Sequence, residues 1–199
     1  DVAQGGADNT VLAPLYGHWF DKLVISPGKE TPDGRSVAGL VTQHRRGQSM
    51  IAMDCTGGWG GAAREHLAQQ GVRVAAFVAS AKSEAKTRPK GELAFDNKRA
   101  ESWWRMREAL DPANMSELAL PDDPVLKAEL TAPTWSLRRD RILVESKDDL
   151  RERLGRSTDR ADAVVMASLY ANEGTRTVVR SLNLTPDAVA EGSGEVSGF

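Results

Sequence analysis

The chain has 199 residues, 40% hydrophobic and 27% charged, with a formal net charge of -2. That length suits one domain with a real core, and the near-neutral balance gives no global pull toward nucleic acid or membrane, so any such binding must come from a local patch. No window approaches the ~18 apolar residues of a membrane span, no signal peptide is visible, and the single cysteine, Cys55, excludes an internal disulfide and fits a reducing compartment.

The stretch "NTVLAPLYGHWFDKLVIS" carries two apolar, strand-like runs broken at Tyr16-Gly17-His18, a hairpin pattern. After the turn-rich "PGKETPDG", residues 36–46 place Val37, Leu40 and Val41 at helical spacing. "QSMIAMD" reads as a short buried strand, residues 60–70 as a helix and "VRVAAFVA" as a second buried strand. Strand, helix, strand in that order marks a parallel α/β crossover.

Residues 80–91 form a polar loop rich in Lys and Arg. Residues 97–110 read as a helix with Ala100, Trp103, Trp104 and Leu110 near one face, and "PDDPVLKAEL" as another. Residues 135–144 suggest a hairpin turning at Arg138-Arg139-Asp140. "KDDLRERLG" is a charged helix closed by Gly155, and residues 159–170 make the last helix. The domain is expected to span 1–171, with 172–199 as a tail whose Gly, Ser and acidic residues have little to pack. The chain opens at Asp1 without a preceding methionine, so a piece of a longer protein is expected.

Two chemistries compete at "MIAMDCTGGWGGAAREHL". Gly58-Trp59-Gly60-Gly61-Ala62-Ala63 satisfies the dinucleotide pattern with Ala in its last place, after a strand and before a helix. Against a nucleotide cradle, Asp54 lies where the anion would sit, and the acid expected ~20 residues on would be Glu84, in the polar loop. No "GK[ST]" follows. The glycines otherwise permit a tight turn and close packing.

The other reading gathers acids around Asp54, at a strand's carboxyl end, where sites form in open α/β sheets. Asp1 precedes the hairpin, and Asp159 and Asp162 share one face at the start of the last helix. Converging carboxylates disfavour joint ionisation without a counter-charge. Oxygen ligands with no His or Cys cluster point to Mg²⁺ or Mn²⁺, two of which suit phosphodiester hydrolysis. Taken singly, Asp159 with Asp162 is also the pattern of a helix cap with an acid in the first turn, which explains such pairs more often than a metal does.

"NKRAESWWRMREAL", "LPDDPVLKAEL" and above all "ILVESKDDLRERLGRSTDRADAVVMA" closely resemble the nuclease domain of large terminase subunits of tailed bacteriophages. "DVAQGGADNTVLAPLYG" is similar to that family's opening strand motif, and "MIAMDCTGGWGGAAREHL" to its central acid and glycine turn; the resemblance runs from Asp1 to about Ala171. It implies an α/β, RNase H-like fold, a mixed five-stranded central sheet flanked by helices, with acids that bind two divalent ions. Carried over by position, the acids are Asp1, Asp54 and Asp162, with Asp159 accessory. The family has a strand before its first acid. Here Asp1 is the first residue, so its carboxylate is expected to be loosely held beside a charged amino terminus.

The resemblance further implies a metal-dependent endonuclease that cuts double-stranded DNA during phage genome packaging in the host cytoplasm. Its expected associates are an ATPase motor domain of the same parent protein, the portal and the small terminase subunit, with no membrane. The motor's Walker motifs do not occur here, so this stretch is expected not to translocate DNA by itself. Candidates for the DNA backbone are Lys82, Lys86, Arg88 and Lys90 in the polar loop, Arg138, Arg139 and Arg141 in the hairpin, and Lys147, which is placed to meet a phosphate or an acid of the cluster. Competing readings are an RNase H-like junction resolvase and a docking module without activity of its own.

Overall fold

The computed structural model describes residues 1–3, 5–87 and 91–181, the last ten of these as helical backbone only. Its first elements are nested hairpins. Strands β1 (Asn9–Leu12) and β4 (Val24–Pro27) pair antiparallel, Asn9 opposite Pro27 and Leu12 opposite Val24, and enclose the small pair β2 (Leu15–Tyr16) and β3 (Trp19–Phe20). Helix α1 (Gly34–His44) starts two residues before the spacing predicts, because Asp33 and Ser36 close a capping box there.

Strand β5 (Ile51–Asp54), helix α2 (Gly61–Gln69) and strand β6 (Val74–Phe77) form the expected crossover, the strands pairing in parallel with Asp54 beside Phe77. Beyond the polar loop, β7 (Ala94–Phe95) pairs in parallel with β9 (Arg141–Val144), and β8 (Trp135–Arg138) completes the hairpin with β9. Both residues of its turn, Arg139 and Asp140, have positive φ (48° and 62°), as tight hairpin turns require. Helix α3 (Lys98–Leu110) is capped by Asn97 and α4 (Pro124–Thr131) by Asp123; α5 (Lys147–Leu154) is capped by Ser146 and closed at Gly155. Helix α6 runs from Asp159 past Tyr170 to Ser181, with no proline to stop it.

The strands alternate side chains between two cores. Val11 belongs to one, with Phe20, Phe95, Trp103, Ile142 and Val164, while its neighbour Leu12 packs on the other, with Val37, Met53, Ala63 and Leu67. Helices α1 and α2 therefore cover one face, and α3, α4 and α6 the other. This is the expected RNase H-like layering of a mixed sheet between helices. Among the described residues, however, its ladders fall into four short sets in place of one continuous five-stranded sheet, since strands of two to four residues share few bonds. Helix α6 touches α3, α4, β1, β2 and β5. No described helix is long and apolar enough to cross a membrane. The tail expected from sequence lies outside the described residues from 182 onward.

Candidate functional site

Three elements from distant parts of the chain deliver acids to one cavity of about 510 Å³, lined by Asp1, Asp54 and Asp162. Asp54 ends β5, and the glycine loop beyond it is a matter of space. A Cβ on Gly60 would lie 2.2 Å from the Asp54 carbonyl oxygen, so only glycine lets α2 begin this close behind the acid. Within the turn, the Thr56 amide donates to Asp54 Oδ1 (2.9 Å), and Thr56 Oγ1 accepts from the Ala79 amide (3.0 Å). The loop thus turns the Thr56 amide inward onto its own acid, as close packing and not a phosphate cradle demands.

Asp1 is better held than the sequence suggests. Its backbone exchanges two hydrogen bonds with Val11, α-amino to carbonyl at 3.0 Å and Val11 amide to Asp1 carbonyl at 3.1 Å. Its side chain is only 6% exposed and meets Lys147 Nζ at 3.3 Å. Burial pushes the α-amino group down to about 6, with Asp54 pulling it up and Lys147 pushing it further down.

Asp162 lies in the first turn of α6. Its Oδ1 accepts from Arg99 Nη1 (3.1 Å), and its Oδ2 meets Thr158 Oγ1 (3.1 Å) and Lys147 Nζ (3.3 Å). Burial alone would raise its carboxyl, but Lys147 and Arg99 outweigh that and hold it below the ordinary aspartate range. Asp159 is buried yet spent elsewhere: its Oδ2 accepts from the Asn9 amide (2.8 Å), which pins α6 to β1. The structure therefore brings Asp1, Asp54 and Asp162 together and sets Asp159 behind them.

Lys147 is the cation at the centre, bridging Asp1 and Asp162 at 3.3 Å each. Among the described residues, no three His, Cys, Asp or Glu side chains stand close enough to hold a metal ion as they are, and the Lys147 ammonium lies between two of the acids. The donor chemistry nonetheless fits a hard divalent cation: the acids offer carboxylate oxygens, and neither His nor Cys lines the cavity. Lys147 is 39% exposed, in contrast to the two acids that it bridges.

The cavity is also lined by the apolar side chains of Trp103, Trp135, Leu143, Val144, Val165 and Met166. The predicted basic segments leave from its rim. Ala79 and Ser80 lead into the loop of Lys82 and Lys86, both exposed; Trp135 and Ser136 lead to Arg138 and Arg139, also exposed. Arg88 and Lys90 lie outside the described residues. Arg141 is turned inward onto the Phe95 carbonyl and does not present its charge outward. Trp103 is buried, and Trp104 stacks edge-on with Trp135 (4.9 Å), the packing role expected of adjacent helical aromatics. Cys55 is half-buried, and burial raises its thiol, which suits a small filler.

One site residue is not recognisable from sequence. Arg99 lines the cavity 8% exposed, in contact with Asp162, and its one sequence signal is its place just after the helix cap Asn97.

No family model and no curated protein sequence matches the chain. Solved structures do. A point-mutant gp2c of the large terminase subunit from bacteriophage Sf6, with calcium, is 19% identical and superposes with a TM-score of 0.62 over 82% of this chain and 83% of that one. The nuclease domain of the large terminase subunit gp2 of bacterial virus Sf6 gives 17%, 0.62 and the same two coverages. A mutant of that domain with manganese and beta-thujaplicinol gives 17%, 0.63 and, again, 82% and 83%. At such identities the likeness is one of architecture: the chain has the fold of the nuclease domain of a phage large terminase subunit.

Proposed function

We propose that this chain is a divalent-metal-dependent endonuclease that cuts double-stranded DNA during phage genome packaging. The observation that carries the reading is the meeting of Asp1, Asp54 and Asp162 in one cavity, on the fold of a terminase nuclease domain.

Asp1, Asp54 and Asp162 would hold two ions, Mg²⁺ or Mn²⁺. When bound, such ions supply the counter-charge and Lewis acidity that phosphodiester hydrolysis requires. The protein's own part is to keep the carboxylates ionised and aimed. Arg99 and Lys147 hold Asp162 charged despite its burial. The Thr56 amide orients Asp54, and Val11 fixes the backbone of Asp1. Lys147, displaced from the acids, is placed to meet a phosphate of the backbone. Lys82, Lys86, Arg138 and Arg139 extend that contact along the duplex without reading bases. A motor domain of a parent protein, the portal and the small terminase subunit are the partners this role entails, in the host cytoplasm.

The test is supercoiled plasmid incubated with the chain in EDTA, Mg²⁺ or Mn²⁺, beside Asp54→Ala. Nicking and linearisation that need the ion and disappear in the variant, with its circular dichroism unchanged, are expected. No cleavage with either ion, or undiminished cleavage by Asp54→Ala, would overturn the reading. Strong preference for branched over linear duplex would move the assignment to a junction resolvase on the same fold.

A further inference from the structure

We infer that Arg99 is a positioning residue that fixes Asp162 for metal binding through Oδ2 alone, so that the two cations touching this carboxylate have opposite roles. The inference rests on the metal-dependent reading above.

Arg99 spans three elements. It sits in the first turn of α3, its Nε donates to the Glu145 carbonyl between β9 and α5 (2.9 Å), and its Nη1 donates to Asp162 Oδ1 on α6 (3.1 Å). One helical turn on, the Trp103 ring lies under the guanidinium, 5.4 Å from its carbon. The Arg99 amide is itself held by the Ala79 carbonyl (2.9 Å), and the Ala79 amide by Thr56, whose own amide binds Asp54. A continuous hydrogen-bonded line thus joins the second acid to the third through Arg99.

The fork is placed for geometry rather than for its own satisfaction. Nη2 is buried and has no hydrogen-bond partner among the described residues, although an unpaired buried donor is costly. A planar, always-charged group with two nitrogens engaged by separate acceptors is not interchangeable with an ammonium. Lys147 is the contrast: 39% exposed against 10% for Arg99, and poised at 3.3 Å between two carboxylates. A divalent ion held by Asp1 and Asp162 would compete with Lys147 for these carboxylates, while Arg99 would keep its bond to Oδ1. Both cations repel the ion, but Arg99 at Oδ1, with Thr158 Oγ1 at Oδ2 (3.1 Å), sets the ligand's orientation, and Lys147 does not.

Calorimetric titration of Mn²⁺ into the DNA-free protein separates these roles. Arg99→Lys keeps the charge and removes the fork, so Mn²⁺ binding should weaken about 10- to 100-fold, the usual effect of losing a group that orients a metal ligand. Lys147→Ala should tighten it. Thermal melts confirm that both variants fold, and if Arg99→Lys melts early, Arg99→Gln replaces it with the same expectation. Wild-type affinity in the Arg99 variants, with Mn²⁺ binding intact in the parent, would overturn the role of Arg99 alone. A parent chain that binds no Mn²⁺ would overturn the metal-dependent reading together with it.

Discussion

Glu145 closes β9 beside the cavity and shows how single contacts tune this region. Arg153 bonds both of its carboxylate oxygens, and the Thr134 amide donates to Oε2 at 3.0 Å. Those bonds, the Arg153 one foremost, hold its carboxyl down at about 2. A carboxyl whose folded value lies below its unfolded value, about 4.3, stabilises the fold fully above the unfolded value and loses that contribution as pH falls toward the folded one. Glu145→Gln should therefore be less stable than the parent in urea at neutral pH, with the gap closing between about pH 4.3 and 2; a gap constant across that window would deny the ion pair its part. The same scale separates Asp162 from Asp159. Three residues apart on one helix, they are indistinguishable as spacing, yet one carboxylate is taken by the Asn9 amide and the other by Arg99 and Lys147. Arg99 is not legible either: in "NKRAESWW" nothing distinguishes it from a solvated first-turn arginine until α6 packs over it.

At the scale of elements, close approach of backbones does more than side-chain chemistry. Gly34 opens α1 where a Cβ would lie 2.6 Å from the carbonyl carbon of Ala62 and the amide nitrogen of Ala63, and Gly60 stands as near to Asp54. Gly34→Ala should cost about 1–3 kcal/mol in urea denaturation, as overpacking does, and leave cleavage per folded molecule unchanged. Gly60→Ala should lose comparable stability and also most of its activity, because the atom in its way belongs to the acid's own residue; equal activity in the two variants would contradict this placement. The crossover around Asp54 is readable in sequence because its strands are apolar and its helix amphipathic, signals that act locally. Strand β7 is not, since two residues carry no period and its pairing comes from β9, far along the chain. The last helix is expected to end at Tyr170 but continues through Ser181, the last described residue, with no proline between them to stop it.

For the whole molecule, a net charge of -2 is compatible with DNA only if the cations are gathered locally. The hairpin tip tests that gathering. Replacing Arg138 by Ser and Arg139 by Asn, which tolerates the positive φ of that position, should weaken duplex binding alike for all sequences. It should also lower the slope of log affinity against log salt by about 2, near one for each phosphate that is no longer neutralised; an unchanged slope would remove the hairpin from the interface. The cavity itself brings together Asp1, the end of β5 and the first turn of α6, and α6 is pinned to β1 by a bond between Asn9 and Asp159. On the proposed function, a chain lacking α6 would hold Asp1 and Asp54 without their third acid and would not cut DNA, so the completeness of the site is tied to the docking of one helix.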